Sequence, residues 1–407
     1  MPIQFTPVQH QFIECISAYL DNREPLELIS REEQAELIRL AIEQKLIPML
    51  YASGYCRTME DSLASKVMSA AKNQSLAQTI ATISFSELYR EFQSEGIEPI
   101  LVKGMLSRSL YRDEAVRPSG DEDIYAGERD YLCCHNKLME LGAVSGGGDV
   151  YSADVIGYTM PNALHIELHR RLFDESSEYS RRHNRFFEQA KTQRILLGGR
   201  GAEVEIRTFA HTENLYYMLL HALKHFIGGG FGVRTALDIA LYAQRYLEKI
   251  DGAMLQKLLI EDCALSFTAA VFDICIAYFG VSEAILSLVG GRRVSGDDML
   301  YDMLSAGVYG TADESRAHSA NITKNSANGG GRLSGLMRSL FPPISYMRTS
   351  YDYLNRCILL LPAAWIQRGF KYLLHLNKNR GNSASGALRI GEQRSILLRK
   401  YDIRTDR

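Results

Sequence analysis

Two short stretches, Pro99-Ile-Leu-Val-Lys-Gly104 and Arg117-Pro-Ser-Gly-Asp-Glu-Asp-Ile-Tyr125, decide how the chain is read. Ile100 to Val102 is a brief apolar run that predicts a buried strand, and Lys103-Gly104 ends it. A helical span to Arg112 follows. Pro118 and Gly120 mark a turn, after which Asp121 to Tyr125 predicts a second strand. Side chains alternate along a strand, so Asp121 and Asp123 should share one face and Glu122 should take the other. Two carboxylates ~4 Å apart at an effective dielectric near 20 repel by roughly 4 kcal/mol. Such a pair calls for a cation, an arginine or a proton beside it.

A third carboxylate comes from Leu164-His-Ile-Glu-Leu-His169. On a strand, His165, Glu167 and His169 share one face while Ile166 and Leu168 pack behind. Three carboxylates at the ends of neighbouring strands make an oxygen-rich site of the kind Mg²⁺ prefers, completed by substrate phosphates. The His-x-Glu-x-His run also offers three zinc ligands, although its spacing departs from the helical His-Glu-x-x-His pattern.

On these motifs the sequence resembles the polymerase-β-like nucleotidyltransferase superfamily, and within it a poorly characterised bacterial family. The resemblance rests on Lys103-Gly104, on Arg117 to Asp123 and on Glu167-Leu168-His169. It extends to Leu219-Leu-His221-Ala-Leu-Lys224-His225, to Arg234 through Asp238, and to Leu340-Phe-Pro-Pro-Ile-Ser-Tyr-Met-Arg348. Glu122 stands where the superfamily has a hydrophobic residue, and Met105 follows Gly104 where serine is common. The resemblance implies an α+β fold, a small mixed sheet with helices embedded between helical regions. It also implies transfer of a nucleoside monophosphate from an NTP to an acceptor, with Mg²⁺ and release of pyrophosphate.

In that setting Asp121, Asp123 and Glu167 are the candidate catalytic and metal-binding residues, in a two-metal arrangement. Glu167 could also help deprotonate an acceptor hydroxyl. Candidate nucleotide contacts are Lys103, Gly104, Arg117, His169, His221, Lys224 and His225. Arg117 has two readings, a phosphate ligand or the salt-bridge partner of the acid pair. His221 and His225, one helical turn apart with Lys224 between them, are either a polar cluster capping the core or a contact to nucleotide or acceptor. Arg234 and Asp238 read as an intrahelical ion pair, with a base or acceptor contact as the alternative.

The 407 residues are 46% hydrophobic and 23% charged, ordinary for a globular chain with room for two or three domains. A net charge of −2 gives no global basic field. That argues against non-specific nucleic-acid binding and puts a small-molecule or peptide acceptor ahead of a nucleic acid. Seven scattered cysteines without a Cys-x-x-Cys pair, and an N-terminus without a basic, apolar leader pattern, lead to a cytoplasmic expectation.

Composition divides the chain into a helical region at 1–95, an α/β core at 96–210 and a helical domain at 211–304. A Gly-, Ser- and Asn-rich linker at 305–335 and a basic, apolar tail at 336–407 follow. Between Arg332 and Arg380 eight Lys or Arg face a single acid, Asp352. That tail either packs as a helix or lies against an anionic membrane surface. Two other functions stay open at this level: a catalytically silent nucleotide-binding or membrane-proximal scaffold, and a phosphotransferase using the same site. Nothing in the sequence sets an oligomeric state.

Overall fold

The apolar run at 100–102 and the acidic strand after Gly120 lie side by side in the computed structural model. That model describes residues 4–175, 177–198, 202–306, 347, 351, 353–356, 360–367 and 384–404. Strand β1 (Ile100–Leu101) pairs antiparallel with β2 (Glu122–Tyr125), and β2 pairs parallel with β5 (His165–His169). Strands β3 (Val144–Ser145) and β4 (Val155–Thr159) complete a mixed sheet of order β1-β2-β5-β4-β3. Register sets Asp123 opposite Glu167 and Tyr125 opposite His169. β2 begins at Glu122, so Asp121 is the last residue of the turn rather than the first of the strand.

A parallel pair needs a long crossover. Part of it is a helix (Gly127–Glu140) that buries Tyr131, Cys134 and Leu138 and packs on β5. A hairpin forms from β6 (Thr192–Leu197) and β7 (Val204–Phe209), and β7 packs beside β1.

The helices that frame the sheet differ in detail from the sequence pattern. Helix α1 (Pro7–Asp21) starts in a capping box between Thr6 and Gln9. The Ser30–Glu33 box opens a short 3-10 turn ahead of the next helix, Gln34–Glu43. Periodicity marks Leu76 to Phe92, yet helix α2, as we label the next long one, runs over 34 residues from Asp61 to Ser94. Its C-terminal part buries Phe85, Leu88, Tyr89 and Phe92, and the Tyr89 hydroxyl donates to the Pro99 carbonyl at 2.8 Å, tying α2 to the start of β1. A four-residue helix α3 (Met105–Arg108) follows β1. Further on come α4 (His211–Gly228) and α5 (Val233–Arg245). The apolar stretch 255–279 forms two helices, Gly252–Glu261 and Leu265–Phe279. They are interrupted near Cys263, whose φ is +43°.

The described chain divides into two compact units. One takes the chain up to His221 together with Val233–Asp297, and so holds the sheet, α2, α3 and α5. The other takes Ala222–Gly232 and the described residues from Asp298 onward. In that second unit Arg394 is buried, pairs with Asp302 and donates to the Phe226 carbonyl, and Met347, Tyr351, Leu354 and Ala364 form a small apolar cluster. Most of the 305–335 linker and most basic residues of the expected tail lie outside the described residues, as does all but Met347 of the 340–348 motif. Among the described residues no helix is long and apolar enough to cross a membrane.

Candidate functional site

The turn that delivers Asp121 is fastened on several sides. Arg117 is buried and grips Asp238 of α5 with two nitrogens, Nε to Oδ1 at 3.2 Å and Nη2 to Oδ2. The Tyr111 hydroxyl donates to the same Oδ1 at 2.8 Å. Arg234, one turn earlier on α5, donates to the Pro118 carbonyl. The Ser119 N–H donates to Gln78 Oε1 of α2 at 2.6 Å, and Arg108 Nη1 donates to Ser119 Oγ at 2.5 Å. The ion pair at Asp238 is therefore made across the fold to Arg117, where the sequence spacing suggested a partner on its own helix.

Alternation along β2 turns Glu122 away from the acid face, and the structure gives it a specific place there. Its carboxylate accepts the Met105 N–H at 2.7 Å and pairs with Arg108 at 2.5 Å, both residues being almost fully buried. Burial raises the Glu122 carboxyl, against the Arg108 charge and the Met105 N–H. Gly104 sits at φ +66°, ψ −114°. A Cβ there would lie 1.9 Å from Glu122 Oε2. The glycine at the end of β1 thus makes room for a buried carboxylate.

On the acid face Asp123, Glu167 and His169 each offer a ligand atom, and these atoms all lie within 4.8 Å of one another. His169 Nε2 is 3.3 Å from Asp123 Oδ1 and 3.6 Å from Glu167 Oε2. Lys103 Nζ lies 3.0 Å from His221 Nε2, and an ammonium there donates to an imidazole that keeps its own proton on Nδ1. Burial would raise the Asp123 carboxyl. The charge of Lys103 and the hydrogen bond and charge of His169 outweigh it and hold Asp123 well below the usual carboxylate range. Glu167 goes the other way. Burial and then the charges of Asp123 and Asp121 push it up to about 7, against His169 and Lys103. One carboxylate is thus ionised and its neighbour holds a proton near neutrality.

Asp121 stands half-buried beside this cluster, close enough to act on Glu167 by its charge, though it is not one of the three atoms within 4.8 Å. His165 is exposed, and its Nδ1 lies 3.1 Å from Thr159 Oγ1. Among the described residues the metal-spaced group includes His169 but not His165, so the His-x-Glu-x-His zinc set does not assemble. Lys224 is exposed and His225 half-buried, and both belong to the second unit.

Tyr217 escaped the sequence reading. It is buried, its hydroxyl raised well above the usual range by burial and by the charges of Asp123, Glu167 and Asp121. Its ring centroid is 5.7 Å from that of His221, one turn along α4. The signal available was that four-residue spacing from a candidate site residue. Oxygen donors from two strands, an adjacent ammonium and a buried tyrosine suit a site that binds a cation and a phosphate together.

A family model described as uncharacterised nucleotidyltransferase matches residues 30–280, and the chain belongs to that family. The α+β architecture, a small mixed sheet flanked by helices, is that of a nucleotidyltransferase core. No curated protein and no solved structure matches the chain.

Proposed function

We propose that this nucleotidyltransferase moves a nucleoside monophosphate from an NTP to an acceptor hydroxyl and releases pyrophosphate. The observation that carries the reading is the convergence of Asp123, Glu167 and His169 on paired parallel strands, with Lys103 acting on the same acids. The donor set fits Mg²⁺: Asp123 and Glu167, with Asp121 adjoining, would hold it, and a hard cation there supplies neutralisation of phosphate charge. His169 lies within reach of both carboxylates and fixes their orientation. Lys103 takes a phosphate oxygen, and His221 steadies its ammonium. Glu167, whose side chain is 44% exposed beside the cluster, is the group placed to take the acceptor's proton. The acceptor is a small molecule or peptide, and the reaction runs in the cytoplasm, where NTP is supplied.

The test is a mass-spectrometric screen of acceptors with NTP and Mg²⁺, with products identified alongside. Nucleotidyl transfer adds a nucleoside monophosphate mass and frees pyrophosphate, whereas phosphoryl transfer frees a nucleoside diphosphate. Replacing Asp123 by Asn keeps the side-chain shape and should lower the rate by roughly 10²–10⁴. Melting that ignores both Mg²⁺ and NTP, with no mass shift, would make the silent scaffold the better account.

A further inference from the structure

A groove of about 270 Å³ opens between the Gln74–Ala81 face of α2, the Pro118–Asp121 turn with the first residue of β2, Glu122, and the Ala163–His165 segment. It lies wholly within the first unit, and Asp121 is part of its wall. Its walls combine two side-chain amides, Gln74 and Gln78, with the imidazole of His165 and the small side chains of Ala77 and Ala81. No lysine or arginine lines it. Gln78 is buried and its orientation is set, because Oε1 accepts the Ser119 N–H at 2.6 Å. Its Nε2 is left without an acceptor among the described residues.

A triphosphate cannot be at home in a groove that has a carboxylate in its wall and no cation. Its charge belongs with Lys103 and the acid cluster. What suits the groove is an uncharged, flat group rich in hydrogen-bonding edges. Amide side chains match such edges as paired donor and acceptor, an imidazole gives a stacking surface, and alanines leave room for a ring. A ring nitrogen or carbonyl is the kind of acceptor that the Gln78 amide lacks. We propose that this groove holds the nucleoside half of the NTP, with the phosphates passing Asp121 toward Lys103. The proposal rests on the nucleotidyl-transfer reading above and adds to it that NTP choice is made by α2 and the 118–121 turn.

The experiment compares two probes on the full chain by calorimetry in Mg²⁺: the four NTPs, and inorganic tripolyphosphate, which has the charge but no nucleoside. In Ala77→Leu/Ala81→Leu, and in Ala77→Leu alone should the pair fold poorly, side chains project into the groove. The proposal expects NTP affinity to fall by about tenfold or more while tripolyphosphate binding is unchanged. Variants that bind NTP as tightly as the wild type would overturn the groove assignment and leave the transfer reading standing. A wild-type chain that binds neither probe would overturn both.

Discussion

Gly104→Ala tests whether the sheet edge is built around a buried carboxylate. At φ +66°, ψ −114° an alanine backbone is strained by ~1–3 kcal/mol. Its Cβ would also stand 1.9 Å from Glu122 Oε2, with the Glu122 carboxyl carbon at 2.7 Å. The carboxylate must leave, and with it go the Met105 N–H bond and the Arg108 pair. Separating a buried ion pair costs ~3–5 kcal/mol, so the substitution should destabilise by roughly 4–8 kcal/mol, a large share of the ~5–15 kcal/mol that holds a typical domain. The clean measurement is a double-mutant cycle by urea denaturation. Once Glu122→Ala has removed the obstruction, Gly104→Ala should cost only the backbone strain, which leaves a coupling of at least ~2 kcal/mol. An equal cost of Gly104→Ala in both backgrounds would refute the packing argument, as would a cost below about 1 kcal/mol in the wild type.

The site makes its own pH prediction. Glu167 has a folded-state affinity for protons above its unfolded one, so the stability it contributes is full at low pH and is lost as pH rises from about 4.5 through about 7. Its side chain is 44% exposed, so solvent screening reduces the effect to ~1–2 kcal/mol. Metal-free wild type should therefore lose that much between pH 5 and 8 relative to Glu167→Gln, and saturating Mg²⁺ should remove the difference; parallel urea curves in the absence of metal would contradict the assignment. At the turn, Arg117→Ala and Asp238→Ala should each cost ~3–5 kcal/mol, because each leaves a buried charge behind. The double variant should cost clearly less than their sum, and strict additivity in thermal or urea unfolding would mean that the pair does not act as a unit.

The part of the site legible in sequence follows from period-two alternation. That pattern put Asp121 with Asp123 on one face, Glu122 on the other, and Glu167 with His165 and His169 on a face of their own strand; the β2–β5 register then brings Asp123 and Glu167 opposite each other. What stayed hidden depends on partners distant in sequence or on signals the sequence lacks. Nothing local connects Arg117 with Asp238, which are 121 residues apart. Nothing in the helical span that follows Gly104 singles out Arg108, which is buried against Glu122 and Ser119. The N-terminal part of α2 carries Lys66, Lys72 and an exposed Leu76, so hydrophobic periodicity fades there although the helix continues. The break near Cys263 has no glycine or proline to announce it. Gly104 stands among the candidate nucleotide contacts because of its place in the motif, and the geometry adds that the space beside it belongs to Glu122.

The fasteners of the Asp121 turn also set a timetable for synthesis. Tyr111, Arg117 and Pro118 meet their α5 partners at separations of 127, 121 and 116 residues. At ~5–20 residues per second, the ribosome makes Arg117 roughly 6–24 s before the α5 aspartate that clamps the turn. A nascent chain ending before Val233 would hold every acid of the centre and no anchor for Arg117 on α5. Closure of so long a loop comes late and slowly, so the growing protein carries an unlocked centre until α5 has left the exit tunnel.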